Sequence, residues 1–253
     1  MGSIVSFANQ KGGVGKSTSA INVAAQIAKN GKKVLLVDLD PQGNTTSGVG
    51  ISKSKIKNTV YDVIIGNSPI NETILSTQFE NLSILPANIS LVGAELELQD
   101  LLGREFRVKE LLEEVKSNYN YIFIDCPPTL GLLTVNALVA SDGAIIPMQC
   151  EFFALEGLSQ LMLTIKRVRQ YYNKELEITG LLLSMFNPRY ILTNQVVAEL
   201  EKHYNGKLFN QRISRSVKIA EAPGFGTPIC YFAPYSKGGI EYKKLCEEIT
   251  MRI

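Results

Sequence analysis

No stretch of this 253-residue chain approaches the about 20 consecutive apolar residues that a membrane span requires. The opening, Met1 to Ala8, has no basic n-region, which excludes a secretory signal peptide. A glycine at position 2 would suit myristoylation, but residues 3–8 are needed as a strand. The four cysteines, Cys126, Cys150, Cys230 and Cys246, include no C-x-x-C pair. In a chain of this length they do not indicate a disulfide framework and read as reduced, packed thiols. The single histidine, His203, falls near the end of a helical pattern and is assigned no role. Repeats, low-complexity tracts and linkers are also missing, so residues 1–253 read as one domain. Neither sign of charge dominates: the formal net charge is +2.

What is there is enough for a folded core. Hydrophobic residues make up 45% of the chain and charged ones 20%, a balance that excludes intrinsic disorder. Charge is unevenly placed. From Lys202 to Lys244 eight basic residues (Lys202, Lys207, Arg212, Arg215, Lys218, Lys237, Lys243, Lys244) face two acidic ones, Glu221 and Glu241. Such a stretch is a candidate polyanion surface, with a solvated lysine surface as the plain alternative.

Short β-rich apolar runs alternate with longer helical patterns. Strands are expected at 3–8, 33–37, 82–85, 121–124, 143–147 and 178–185. Helices are expected at 17–29, 92–102, 108–117, 154–172, 193–203 and 236–253. Residues 43–80, rich in Gly, Ser, Asn and Lys, read as mobile. The alternation implies an α/β fold, a mostly parallel doubly wound sheet with helices on both faces. Ligands in such sheets sit at the carboxyl ends of the strands.

At that edge, after the first strand, comes Lys11-Gly12-Gly13-Val14-Gly15-Lys16-Ser17-Thr18. Glycines free the backbone so that N–H groups can turn toward phosphate oxygens. The following helix N-terminus adds partial positive charge. Lys16 is placed to neutralise β- and γ-phosphates and the Ser17 hydroxyl to ligate Mg²⁺. The common phosphate-loop pattern would have Gly where this chain has Gln10, and a second lysine, Lys11, precedes the glycines. The alternative is a glycine-rich turn with exposed lysines.

Two further segments bring carboxylates to the same edge. In Val34-Leu35-Leu36-Val37-Asp38-Leu39-Asp40, Asp38 and Asp40 lie two apart and would share one face of an extended strand. Both are expected beside the phosphates, holding metal-bound waters or orienting an attacking water. In Tyr121-Ile122-Phe123-Ile124-Asp125-Cys126-Pro127-Pro128, Asp125 ends a Walker B strand and would bond to Mg²⁺ waters. Turn-forming aspartates at strand ends are the alternative for each.

Lys11–Ser17, Val37-Asp38-Leu39-Asp40-Pro41-Gln42-Gly43-Asn44 and Ile124–Pro128 together resemble the ParA/MinD group of deviant Walker P-loop ATPases. Within it the chain looks like a short chromosomal-type (Soj-like) ParA partition ATPase. The resemblance implies ATP and Mg²⁺ as cofactors and slow ATP hydrolysis. It also implies an ATP-driven homodimer in which Lys11 reaches the partner's phosphates. The nucleotide then lies along Lys11, Gly12, Gly13, Val14, Gly15, Lys16, Ser17 and Thr18, with Asp125 and Asn187. Gly12 stays small because two loops meet there. Asp40 positions the hydrolytic water, so that Lys11, Lys16 and Asp40 form the catalytic set and Ser17, Asp40 and Asp125 the metal set. The dimer is expected to bind double-stranded DNA without sequence preference, and a ParB-type centromere-binding protein to stimulate hydrolysis. Arg189, Arg215, Lys218, Lys237 and Lys243 are the residues expected at DNA.

The sequence departs from the group at Lys218, where Arg is common, and at Ile213-Ser214-Arg215-Ser216, where Ile-Pro-Arg-Asn is usual. Lysine still supplies a charge for a phosphate contact. A cytoplasmic, nucleoid-associated protein with no membrane contact is the resulting expectation. The rivals are a MinD-like membrane-cycling ATPase, an iron protein of the nitrogenase type, a small-molecule ligase or synthetase, and a non-hydrolysing nucleotide scaffold.

Overall fold

The computed structural model describes residues 2–151 and 153–253. The described residues form one seven-stranded sheet: β1 (Ser3–Phe7), β2 (Val34–Asp38), β3 (Leu75–Ser76), β4 (Leu82–Leu85), β5 (Tyr121–Asp125), β6 (Gly143–Met148) and β7 (Glu177–Leu183). Their order is β3-β4-β2-β5-β1-β6-β7, parallel throughout except for β3, which runs antiparallel to β4. The fold is thus the mostly parallel α/β arrangement the sequence implies.

Helices are α1 (Lys16–Lys29), α2 (Asn44–Gly48), α3 (Val60–Ile64), α4 (Ile70–Thr73), α5 (Val92–Glu97) and α6 (Arg107–Glu113), followed by α7 (Leu132–Ala140), α8 (Ala154–Tyr171), α9 (Ile191–His203), α10 (Val217–Glu221), α11 (Ile229–Phe232) and α12 (Lys237–Arg252). Strand side chains alternate between two cores, as the pleat requires. Ile4, Leu35, Val37, Ile122, Ile124 and Ile146 join the core under α6, α7, α8 and α9. Val5, Phe7, Leu36, Phe123, Ile145 and Leu182 join the core under α1 and α12. Both faces are covered, so the strands read as continuous apolar runs.

Several expectations need correction. The 43–80 segment is held in α2, a 3₁₀ turn at Lys53–Lys55, α3 and α4, with Thr45, Thr46, Val60, Val63, Ile64 and Ile70 buried. Its polar residues are bonded inward, which composition does not reveal. The helix expected over 92–102 ends at Glu97, and that over 108–117 ends at Glu113 before a 3₁₀ turn at Lys116–Asn118. Helix α7, which crosses between β5 and β6, was not expected. Its nearly all-apolar sequence, LLTVNALVA, has no polar face, because it is buried against the sheet and its neighbouring helices.

Candidate nucleotide site and basic face

The loop after β1 has the expected strand–turn–helix setting. Gly13 and Gly15 have φ of +73° and +87°, a region open to glycine. Gly12 does not share it, so its need for glycine is not conformational. A Cβ there would meet only the Pro128 Cβ, at 4.0 Å. Gly15 stands at the N-cap of α1 without a capping side chain, and the first turn carries no acid. The first-turn N–H groups are therefore free for an anion.

Side chains from neighbouring strand ends fix the loop's carbonyls. Ser184 Oγ donates to Val14 O at 2.7 Å and Gln149 Nε2 donates to Gly13 O at 2.8 Å. Asn9 Nδ2 donates to Pro147 O at 2.7 Å, while its Oδ1 accepts from Lys11 N at 3.0 Å. Carbonyls held outward leave the N–H groups for the loop's interior. None of Asn9, Gln149 and Ser184 was singled out from the sequence. The available signal was topological: Gln149 and Ser184 directly follow β6 and β7, at the carboxyl edge.

Lys16 is buried and donates from Nζ to Lys11 O at 3.2 Å. Burial lowers its pKa, while the negative charges of Asp125 and Asp40 oppose that shift. Both carboxylates therefore lie within electrostatic reach of the ammonium. Lys11 is on the surface, paired with Glu151. Thr18 is partly buried in the first turn of α1, its carbonyl accepting from Asn22 Nδ2 at 2.8 Å.

The two strand-end carboxylates behave differently from the expectation. Strand β2 ends at Asp38, so Asp38 and Asp40 do not share a strand face. Asp38 is wholly buried opposite Asp125 in the β2–β5 register. Its carboxylate accepts from Thr46 N at 2.8 Å, Thr46 Oγ1 at 2.7 Å and Asp40 N at 3.2 Å. It thereby holds α2 in place. Asp40 turns away from the strand and accepts from Gln42 N at 2.9 Å.

Asp125 is also wholly buried, and Thr45 Oγ1 donates to its Oδ2 at 2.6 Å. Burial raises its pKa, opposed by the hydroxyls of Ser17 and Thr45 and by Lys16. Its other oxygen, Oδ1, is buried without a hydrogen-bond partner among the described residues. An orphaned carboxylate oxygen among Ser17 and Lys16 fits a water held by Mg²⁺. Thr45 and Thr46 were missed from the sequence, although a small polar pair directly after a carboxylate-ended strand is the residue type that could bond back to it.

The expected basic residues gather only in part. Phe186 bridges Ser214, which places Asn187 and Arg189 beside the 213–216 segment. Asn187 Oδ1 accepts from Arg189 N at 3.1 Å, so this oxygen serves its own loop. Glu241 binds Ser214 through N and Oγ and lies 3.7 Å from Lys237. Ile219 packs where a Cβ of Gly238 would stand, joining α10 to the start of α12. The segments that carry Arg189, Arg215, Lys218 and Lys237 therefore lie next to one another and form one rim. Lys218 is paired with Glu221 at 2.9 Å. Lys243, six residues after Lys237 on α12, points about 120° away around the helix.

The AAA domain family model matches residues 2–178. The sporulation initiation inhibitor protein Soj of Bacillus subtilis is 49% identical over 250 residues, 99% of each chain. A chromosome partitioning protein ParA of Caulobacter vibrioides is 43% identical over 251 residues, 98% of this chain and 94% of that one.

The chain belongs to the ParA/Soj family of deviant Walker ATPases.

Solved structures share its fold. A putative plasmid partition protein from Borrelia burgdorferi, bound to AMPPNP, superposes with a TM-score of 0.85 at 28% identity, covering all of both chains. Cobyrinic acid a,c-diamide synthase from Mycobacterium smegmatis, with ADP and magnesium, gives 0.86 at 33%, covering 98% and 93%. Among the described residues no helix is long and apolar enough to cross a membrane.

Proposed function

We propose that this ParA/Soj-family chain is a partition switch: it pairs with a second copy on ATP, binds duplex DNA while paired, and separates on hydrolysis. The observation that carries the reading is the surface formed by Lys11 and Gly12. Gly12 is exposed and uncrowded within its own protomer, and the Lys11 ammonium is paired with a half-exposed glutamate, Glu151. The Lys11 backbone helps hold the loop, but its side chain and the open side of Gly12 do not shape it, so both can take a phosphate and a loop brought by another copy.

In this reading Lys16 and the N–H groups of Gly13–Thr18 bind the triphosphate. Ser17 and the waters accepted by Asp125 Oδ1 hold Mg²⁺, which supplies charge neutralisation at the phosphates. Asp40 orients the attacking water, and Lys11 contacts the partner's nucleotide. Arg189, Arg215, Lys218 and Lys237 neutralise DNA phosphates, so binding weakens steeply with salt. A ParB-type protein accelerates a slow hydrolysis. The site of action is the cytoplasm, on the nucleoid.

Sedimentation with magnesium-ATP, with and without duplex DNA, tests this. Wild type should pair and then bind DNA. Lys16→Ala should bind no nucleotide, Asp40→Ala should accumulate as an ATP dimer on DNA, and Lys218→Ala should pair yet bind DNA poorly. A wild-type chain that stays monomeric at saturating ATP, with turnover blocked, refutes the reading.

The membrane-cycling reading has its own observation: MinD from Pyrococcus horikoshii, with Mg-ADP, shares the fold at 26% identity and a TM-score of 0.82. Two facts favour partition. The partition relatives are far more alike in sequence. The last turn of α12 is also fastened into the fold, Arg252 binding Thr179, Leu208 and Glu248, and Glu248 binding Asn210 and Gln211. Its apolar face, Leu245, Cys246 and Ile249, is core.

A further inference from the structure

The five-residue helix α2 is bonded at one end to the two buried carboxylates of the nucleotide site. Thr45 Oγ1 donates to Asp125, and Thr46 donates twice to Asp38 while its hydroxyl accepts from Ala87 N at 2.9 Å. Both threonines are wholly buried. A shift of either carboxylate therefore moves α2 or breaks a buried hydrogen bond.

The other end of α2 meets the basic rim. Gly50 has φ of +83° and Gly226 φ of +59°. The two backbones approach so closely that a Cβ on Gly226 would lie 2.6 Å from Gly50 Cα and 3.4 Å from Ser47 O. On its far side α2 rests on α1: a Cβ on Gly48 would lie 2.4 Å from Ile21 Cδ1. Helix α2 is thus wedged between the Ile21 side chain of α1 and the Gly226 turn, where backbone meets backbone.

Gly226 ends a helical run that starts with α10. Glu221 and Ala222 keep helical dihedrals (φ −73°, ψ −40° and φ −49°, ψ −44°), so α10 continues unbroken into the 3₁₀ turn Ala222–Phe225. Lys218 sits on this rod, its Nζ 5.8 Å from the Phe232 ring centroid, and Phe232 stacks on Phe225 at 5.2 Å between ring centroids. The rod carries Lys218, one of the proposed DNA contacts, at one end and rests against Gly50 and Ser47 at the other.

We infer that α2 is a mechanical link inside each protomer, through which the state of the Asp38–Asp125 pair sets the position of the Lys218 rod by way of the Gly50–Gly226 contact. Nucleotide would control the DNA face by this route as well as by pairing two copies. The inference rests on the DNA-binding reading for its purpose, but its test does not.

The test is hydrogen–deuterium exchange of peptides spanning 217–227, with and without magnesium-ATP, in the absence of DNA. Wild type should change its exchange there at least threefold on adding ATP. Wild type diluted until sedimentation shows it monomeric with magnesium-ATP should show the same change, because the link lies within one chain. Gly226→Ala, which crowds Gly50, and Thr46→Val, which keeps the side-chain shape and loses its hydroxyl, should abolish it, and Thr46→Ser should restore it. If Gly226→Ala fails to fold, the Thr46 pair decides. An unchanged wild-type segment overturns the link, as does a change that persists in Thr46→Val or that disappears in the diluted, nucleotide-bound monomer. Duplex binding by fluorescence anisotropy then separates the two ideas. If the link holds, Thr46→Val should lose at least fivefold of the ATP-over-ADP preference for DNA. If Lys218→Ala binds DNA like wild type, the DNA face is refuted while the exchange result stands alone.

Discussion

At the scale of single residues, the site is a balance of buried charges. Asp38 and Asp125 lie opposite one another on adjacent strands, wholly buried. Burial and, for Asp38, the neighbouring Asp125 charge raise both carboxyl pKa values, to about 7 and about 6. In the unfolded chain both would ionise near pH 4. The folded chain therefore holds more protons between those limits, and without nucleotide its stability falls as pH rises through that window. Asp125→Asn removes one ionisation and still accepts from Thr45. Thermal unfolding without nucleotide should find this variant more stable than wild type at pH 8, the gap closing toward pH 4. One unit of raised pKa corresponds to about 1.4 kcal/mol, or about 3–6 °C at this chain length. Equal melting temperatures at pH 8 would show that the pair carries no such penalty.

At the scale of elements, the phosphate loop depends on strands distant in sequence. Ser184 ties Val14 to the end of β7 and Gln149 ties Gly13 to the end of β6. A hydrogen bond of this kind is worth about 1 kcal/mol. Ser184→Ala should weaken ATP binding about fivefold, measured by titration calorimetry, and Ser184→Thr should recover most of it. Gln149→Ala, at an exposed site, should do less. These ties were illegible in the sequence because 170 residues separate Val14 from Ser184 and 136 separate Gly13 from Gln149. The loop itself was legible, since its strand, glycines and helix start are contiguous. So were α1, β2, β5 and β6, whose apolar patterns are strong. Helix α2 was not, because its threonines are held by buried carboxylates that lie outside the segment.

For the whole molecule, what matters is what one protomer leaves unused. Gly12 has room for a larger side chain in the single chain. Gly12→Val should therefore fold with a melting temperature within about 2 °C of wild type, yet fail to pair on ATP in analytical ultracentrifugation. Normal pairing would show that this loop does not meet a second copy. The rim of Arg189, Arg215, Lys218 and Lys237 also belongs to this scale. It is assembled from the loop after β7, the segment alongside it, α10 and the first turn of α12. Charge counting placed Lys243 with this rim; the helix turns it elsewhere.

The sequence by itself determined the strand–glycine–helix form of the loop and the doubly wound alternation, because each is written in contiguous residues whose spacing matches a backbone period, and three short motifs carried the family. Only the tertiary structure decided that Asp38 is a buried anchor for α2, that Gly12 is free of its own protomer, and that Gly50 lies against Gly226. Those facts depend on which strand ends and turns come together, and local propensity carries no information about contacts between segments so far apart.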